Sequence, residues 1–143
     1  SILNRPINGA ILNISLNVWS SAKVLCAMAM CVASNGTREK MVVTLEVTGL
    51  AGYFGDKFYG VDQVAYGKPA PDIYLLAAQN MGVPPSRCVV IEDSYPGAQA
   101  GLAAGMTVLG YCPNKDIWGL EGLGIQTFSD MNSLPELLGS NQR

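Results

Sequence analysis

Two adjacent carboxylates, Glu92 and Asp93, follow directly on the apolar string Cys88-Val89-Val90-Ile91. Unpaired charge is costly to bury, so acids at the end of an apolar strand are expected to be paired, metal-bound or left in solvent. The chain has no histidine, and an oxygen-only donor set suits Mg²⁺ rather than zinc. Ser34 supplies a hydroxyl, and the backbone N–H groups of Asn35 and Gly36 are expected to open the following helix, a favourable place for an anion. Lys68, between Gly67 and Pro69, supplies a compact positive charge of the kind that neutralises phosphate. Together these are the parts of a phosphoryl site: metal, anion cradle and balancing ammonium. Each part also has a plainer reading. Ser34-Asn35-Gly36 could be an ordinary turn and Lys68 a solvated loop lysine, while Glu92-Asp93-Ser94 could merely cap the next helix.

Position separates the two readings. Met28 to Ala33 is a short apolar run that stops at Ser34-Asn35-Gly36, a strand followed by a turn. Thr37 to Thr48 carries Met41, Leu45 and Thr48 at helical spacing, with Gly49 placed to end the helix. Pro71 to Met81 predicts a helix with Ile73, Leu76, Ala77 and Asn80 in step, closed by Gly82. Cys88 to Ile91 is a second buried strand, Gly97 to Ala104 a small-residue helix and Thr107 to Tyr111 a third strand. A last strand is expected around Ile125 to Phe128, and a short helix from Ser133. Strands alternating with helices at this spacing predict βαβ units and a parallel sheet covered on both faces. Both polar clusters then fall just past the carboxyl ends of strands, the edge where open α/β sheets bind ligands, and Lys68 could point to the same edge. Met28, Met30, Met81 and Met106 are expected as core fillers, and Tyr66, Tyr95 and Trp118 as packing groups.

Composition removes other classes. With 143 residues and 15.1 kDa the chain fits one domain. At 49% apolar and 14% charged residues it can bury a core. A net charge of −2 gives no electrostatic basis for gripping nucleic acid or an anionic membrane. Lack of histidine excludes a Ser-His-Asp triad and a Cys-His pair. The longest apolar run, Val24 to Ala33, is far shorter than the roughly 20 residues of a membrane span. Cys26, Cys31, Cys88 and Cys112 have no C-x-x-C spacing and suit reduced thiols in a cytoplasmic protein.

The strings Cys31-Val-Ala-Ser34-Asn-Gly36, Gly67-Lys68-Pro-Ala-Pro-Asp72 and Val90-Ile-Glu92-Asp93-Ser94-Tyr-Pro-Gly97, with Ala103-Ala-Gly105-Met106 beyond, resemble motifs II, III and IV of the haloacid dehalogenase-like hydrolase superfamily. The nearest branch is that of β-phosphoglucomutase and its related phosphatases, and the match covers roughly residues 28–112. The resemblance implies a Rossmann-like, three-layer α/β core with a mainly parallel sheet. It also implies Mg²⁺-dependent phosphoryl transfer through an aspartyl-phosphate, on a small phosphate monoester such as a sugar or polyol phosphate. On matching positions Ser34 would bind a phosphoryl oxygen, and Lys68 would hold the nucleophile and phosphate charge. Glu92 with Asp93 would hold Mg²⁺, Asp93 the surer ligand. The Glu-Asp pair favours phosphate chemistry over dehalogenation.

One departure bears on activity. Family members begin with a strand ending in D-x-D, which carries the nucleophile, and no two aspartates here stand at i, i+2. The helical cap usually inserted after that strand has no counterpart in the sequence either. Residues 1–27 are therefore expected to form an atypical segment preceding a core portion over 28–143, and the chain as written is expected not to turn over substrate. A mutase of the β-phosphoglucomutase type and a non-catalytic phosphate- or partner-binding domain are the competing readings. A sheet without its central strand would leave two long edges exposed. The alternation over Leu12 to Val18 offers a strand to fill that place, although, following Pro6 and Gly9, the stretch is also open to a helix.

Overall fold

The computed structural model describes residues 9–13, 29–114 and 119–140. In chain order the elements are β1 (Gly9–Asn13), β2 (Ala29–Ala33), α1 (Arg38–Val47), α2 (Ala51–Phe54) and β3 (Phe58–Tyr59). Then follow α3 (Asp72–Met81), β4 (Cys88–Glu92), α4 (Tyr95–Ala103), β5 (Thr107–Tyr111), β6 (Gln126–Phe128) and α5 (Leu134–Ser140). The strands form one sheet in the order β3-β2-β1-β4-β5-β6, and every pairing is parallel. The chain is thus an α/β fold with helices on both faces of the sheet, as its sequence predicts.

Alternation along the strands divides the core into two layers. Met30, Val32, Val89, Ile91 and Leu109 face Met41 and Leu45 of α1, Phe54 of α2, and Leu134 and Leu138 of α5. Cys31, Ala33, Cys88, Val90 and Val108 face Ile73, Tyr74 and Ala77 of α3, and Ala98 and Ala100 of α4. Met30 and Met106 are buried as expected, whereas Tyr66 is 71% exposed and packs little. Met28 and Trp118 lie outside the described residues.

The central place in the sheet is filled. β1 pairs with β2 on one side and with β4 on the other, so the segment preceding residue 28 supplies a strand that leaves no gap there. The filler is Gly9–Asn13 rather than Leu12 to Val18; of that expected strand only Leu12 and Asn13 fall within β1, and the remainder lies outside the described residues. Its last residue, Asn13, stands opposite Glu92.

Helix ends follow local chemistry. The Thr37 hydroxyl caps α1 by accepting from the Lys40 N–H, and Gly49 beyond it takes a left-handed φ of 74°. Gly82 ends α3 in the same way at φ 68°. α4 starts two residues before the expected Gly97, because Ser94 caps it and Pro96 is accommodated in its first turn. The buried stripe of α3 is Ile73, Tyr74, Ala77 and Ala78; Leu76 is half-buried and Asn80 exposed. The large Tyr74 ring takes the inward position, and the Asn80 amide turns to water.

Candidate functional site

Three connections meet at the carboxyl edge of the sheet: β2 to α1, the loop before α3, and β4 to α4. The first is fixed by local bonds. Ser34 N–H donates to the Tyr59 carbonyl at 3.1 Å, and the Ser34 hydroxyl accepts from Gly36 N–H at 3.0 Å. Helix α1 begins only at Arg38, whose N–H donates to Asp62 Oδ1 at 3.0 Å. Asn35 and Gly36 therefore precede the helix rather than opening it, and the Gly36 N–H is already bonded. The loop has no room for a side chain at Gly60, where a Cβ would stand 2.7 Å from the Arg38 nitrogen and 2.8 Å from the Gly36 carbonyl oxygen.

Asn35 ties this loop to the next. Lys68 N–H donates to Asn35 Oδ1 at 2.9 Å, and the Asn35 amide nitrogen lies 3.5 Å from the Lys68 carbonyl. So anchored, the Lys68 side chain runs inward and is only 3% exposed. Its ammonium donates to the Ala33 carbonyl at 3.1 Å and to Glu92 Oε2 at 3.2 Å. Burial pushes the Lys68 ammonium below its ordinary pKa, and the Glu92 charge works against that shift.

Glu92 continues the inward-facing row of Cys88 and Val90 toward α3 and α4, and it is fully buried. Its Oε1 accepts from Asp93 N–H and Ser94 N–H at 3.2 Å each and from the Ser94 hydroxyl at 3.0 Å. Its Oε2 accepts from Tyr74 at 2.6 Å as well as from Lys68. Burial, and then the Glu92 charge, hold the Tyr74 phenol well above its ordinary pKa, so it stays a donor. Asp93 is half-buried and, with Ser94, Tyr95 and Pro96, lines a cavity of about 360 Å³.

Every residue expected at the site thus lies on this one edge, and Lys68 and Glu92 are in direct contact. A cation here would meet oxygen donors of the right kind, with Asp93 the carboxylate that borders the cavity. Among the described residues, no group of three or more His, Cys, Asp or Glu forms a complete cage. Asp93 fits a hard cation in kind, and further ligands would come from elsewhere, including the substrate and water.

A family model described as haloacid dehalogenase-like hydrolase matches residues 16–105, more than half of the chain. The chain belongs to this family. It is 34% identical over 108 residues to 6-phosphogluconate phosphatase of Escherichia coli, covering 76% of this chain and 49% of that one. It is 55% identical over 58 residues to the fructose-1-phosphate phosphatase of the same organism, covering 41% of this chain and 30% of that one. A β-phosphoglucomutase-like structure from Thermotoga maritima superposes with a TM-score of 0.76 at 27% identity, covering 85% of this chain and 58% of that one. The chain spans about half or less of the length of these two curated relatives.

Two residues of this haloacid dehalogenase-like site are missed by sequence reasoning. Tyr74 has the helical position of an ordinary core residue, and only the acid facing it makes its hydroxyl meaningful. Gly97 reads as one of several small residues in α4, yet a Cβ there would lie 1.9 Å from Glu92 Oε2.

Proposed function

We propose that this chain is the phosphate-handling core of a phosphatase for small phosphate monoesters, of the sugar or polyol phosphate kind. The supporting observation is the Lys68 ammonium, held between a backbone carbonyl and the Glu92 carboxylate at the edge that also carries Ser34 and Asp93. Similarity to phosphatases of 6-phosphogluconate and fructose 1-phosphate supports the substrate class.

In this reading Lys68 meets the phosphoryl group with one N–H, while its other bonds keep the ammonium from following the ligand away. The Ser34 hydroxyl, oriented by its bond to Gly36 N–H, has its own proton to donate to a phosphoryl oxygen. Asn35 acts through Lys68 by fixing the backbone of its loop. Asp93 would hold Mg²⁺, which when bound supplies charge neutralisation and polarises the phosphoryl oxygen. Because no D-x-D string exists in the sequence, the chain as written binds phosphate without forming an aspartyl-phosphate. Among the described residues, Cys31 and Cys88 are buried free thiols, which suits the reducing cytoplasm. No helix among the described residues is long and apolar enough to cross a membrane.

Calorimetric titration of the full chain with inorganic phosphate, with and without Mg²⁺, tests the reading. Saturable binding that Lys68→Met abolishes, with no phosphate released from fructose 1-phosphate, is the expected result. Undiminished binding by Lys68→Met, or turnover by the unaltered chain, would overturn it.

A further inference from the structure

We propose that Glu92 is the fixed counter-charge of Lys68 rather than a cation ligand, and that Tyr74 is the positioning residue that locks the pair. A carboxylate offers about four lone-pair directions. Glu92 already accepts from Asp93 N–H, Ser94 N–H, the Ser94 hydroxyl, the Tyr74 hydroxyl and Lys68. It has no exposed surface from which to reach a cation. Asp93, one residue on, borders the cavity instead. The two neighbouring acids therefore divide the work: one faces the core, the other faces the ligand side.

Tyr74 touches both members of the pair. Its hydroxyl donates to Glu92 Oε2 at 2.6 Å, and its ring lies under the Lys68 ammonium, 4.8 Å from the ring centre. An ammonium has three N–H donors. Two of those of Lys68 go to Ala33 and Glu92, and the third has no partner among the described residues. With the ring beneath it, the ammonium presents that third N–H to an incoming oxygen without first breaking another bond. Gly97 completes the device, since α4 approaches the back of the Glu92 carboxylate too closely for any side chain.

The inference rests on the phosphate reading, and the ligand-free Lys68 signal separates its failure from the failure of that reading. Three variants of the full chain, Tyr74→Phe, Glu92→Gln and Asp93→Asn, are titrated with Mg²⁺ alone and with inorganic phosphate alone. Tyr74→Phe keeps the ring and is expected to lower phosphate affinity about three- to tenfold, the size of one ordinary hydrogen bond, because the bond lost acts on the ligand only through Lys68. Its Mg²⁺ affinity stays unchanged, which a general collapse of this edge would not give, while Tm falls modestly with the lost buried bond. Glu92→Gln is expected to lose at least about tenfold in phosphate affinity while keeping that for Mg²⁺, and Asp93→Asn to lose Mg²⁺. A tenfold loss of Mg²⁺ affinity in Glu92→Gln, or unchanged phosphate affinity in Tyr74→Phe, overturns the proposal. Should Glu92→Gln fail to fold, Tyr74→Phe still decides. A ligand-free readout is the ¹⁵N ammonium signal of Lys68, sharp when the group is held in hydrogen bonds. Its broadening in Tyr74→Phe supports the proposal, and an unchanged signal refutes it. If the unaltered chain binds neither probe but this signal behaves as expected, the proposed function fails while the positioning role stands.

Discussion

The two faces of the sheet are packed on different principles. The face under α1, α2 and α5 is filled with Leu, Met, Phe and Val, flexible or bulky side chains that need only fill volume. The face under α3 and α4 is lined with Ala, Cys and Val, and Gly97 and Gly101 let α4 approach closely. A Cβ on Gly101 would stand 2.7 Å from a Val108 methyl carbon. That close approach sets the start of α4 and its Ser94 turn against the Glu92 carboxylate. Volume stabilises the first face; close approach positions a charged pair in the second. Substitutions should therefore cost stability on one side and binding on the other.

The largest loss of stability belongs to the bulky face. Leu45→Ala removes a side chain only 2% exposed, and about 2–5 kcal/mol is expected, read as a lower denaturation midpoint. Phosphate affinity of the fraction that remains folded should hardly change, since Leu45 packs away from Lys68. Gly97→Ala inverts the pattern. The new methyl meets a carboxylate held by several donors that cannot simply swing aside, so roughly 1–3 kcal/mol is expected from overpacking. Phosphate binding should be lost with it. Equal effects of the two substitutions on affinity would mean that the faces do not differ in this way.

Much of this contrast is legible from the residues in order. Apolar strings ending in Ser34-Asn35-Gly36 and Glu92-Asp93-Ser94 mark strand ends, because charge at the close of a buried strand must find a partner. Period-2 and period-3.6 patterns are local, so β2, α1, β4 and β5 fall within about a residue or two of expectation. The Tyr74–Glu92 bond spans eighteen positions in sequence and depends on which helix turn faces which strand. Nothing local to Ile73-Tyr74-Leu75-Leu76 says that the tyrosine, rather than Leu76, points fully inward. β1 is hard to place for a similar reason. Gly9-Ala-Ile-Leu-Asn13 carries weak alternation, and its identity as a strand comes from the two neighbours it pairs with. The anion cradle is overstated for a third reason. One-residue offsets decide whether an N–H faces a ligand or a neighbour, and here the Ser34 hydroxyl takes that of Gly36.

Alkaline pH should act through the close-packed face. Burial pushes the Cys88 thiol from 9.0 up to about 11, and burial raises Cys31 and Tyr74 as well. All three belong to the layer under α3 and α4. A raised acid pKa means that the folded state keeps a proton the unfolded chain would release. Its contribution is complete below pH 9 and fades as pH climbs toward 11. The lowered pKa of Lys68 has the opposite slope and offsets part of the loss. Tm should therefore fall between pH 9 and 11, and Cys88→Ala should reduce the fall measurably without removing it. An identical pH profile in that variant would exclude Cys88 as a contributor.

The smallest effect tests whether close approach is confined to one face. Gly52 lies inside α2, on the bulky side, and a Cβ there meets nothing within 4 Å. Its φ is not in the positive region that favours glycine. Gly52→Ala should then stabilise the fold by about 0.4–1 kcal/mol, chiefly by restricting the unfolded chain. Phosphate affinity should stay within error of the unaltered protein. The same substitution at Gly97 costs both stability and binding, so a single added methyl reads the two faces with opposite sign. A destabilising Gly52→Ala would mean that α2 also depends on glycine for its place, and that the bulky face is less permissive than its side chains suggest.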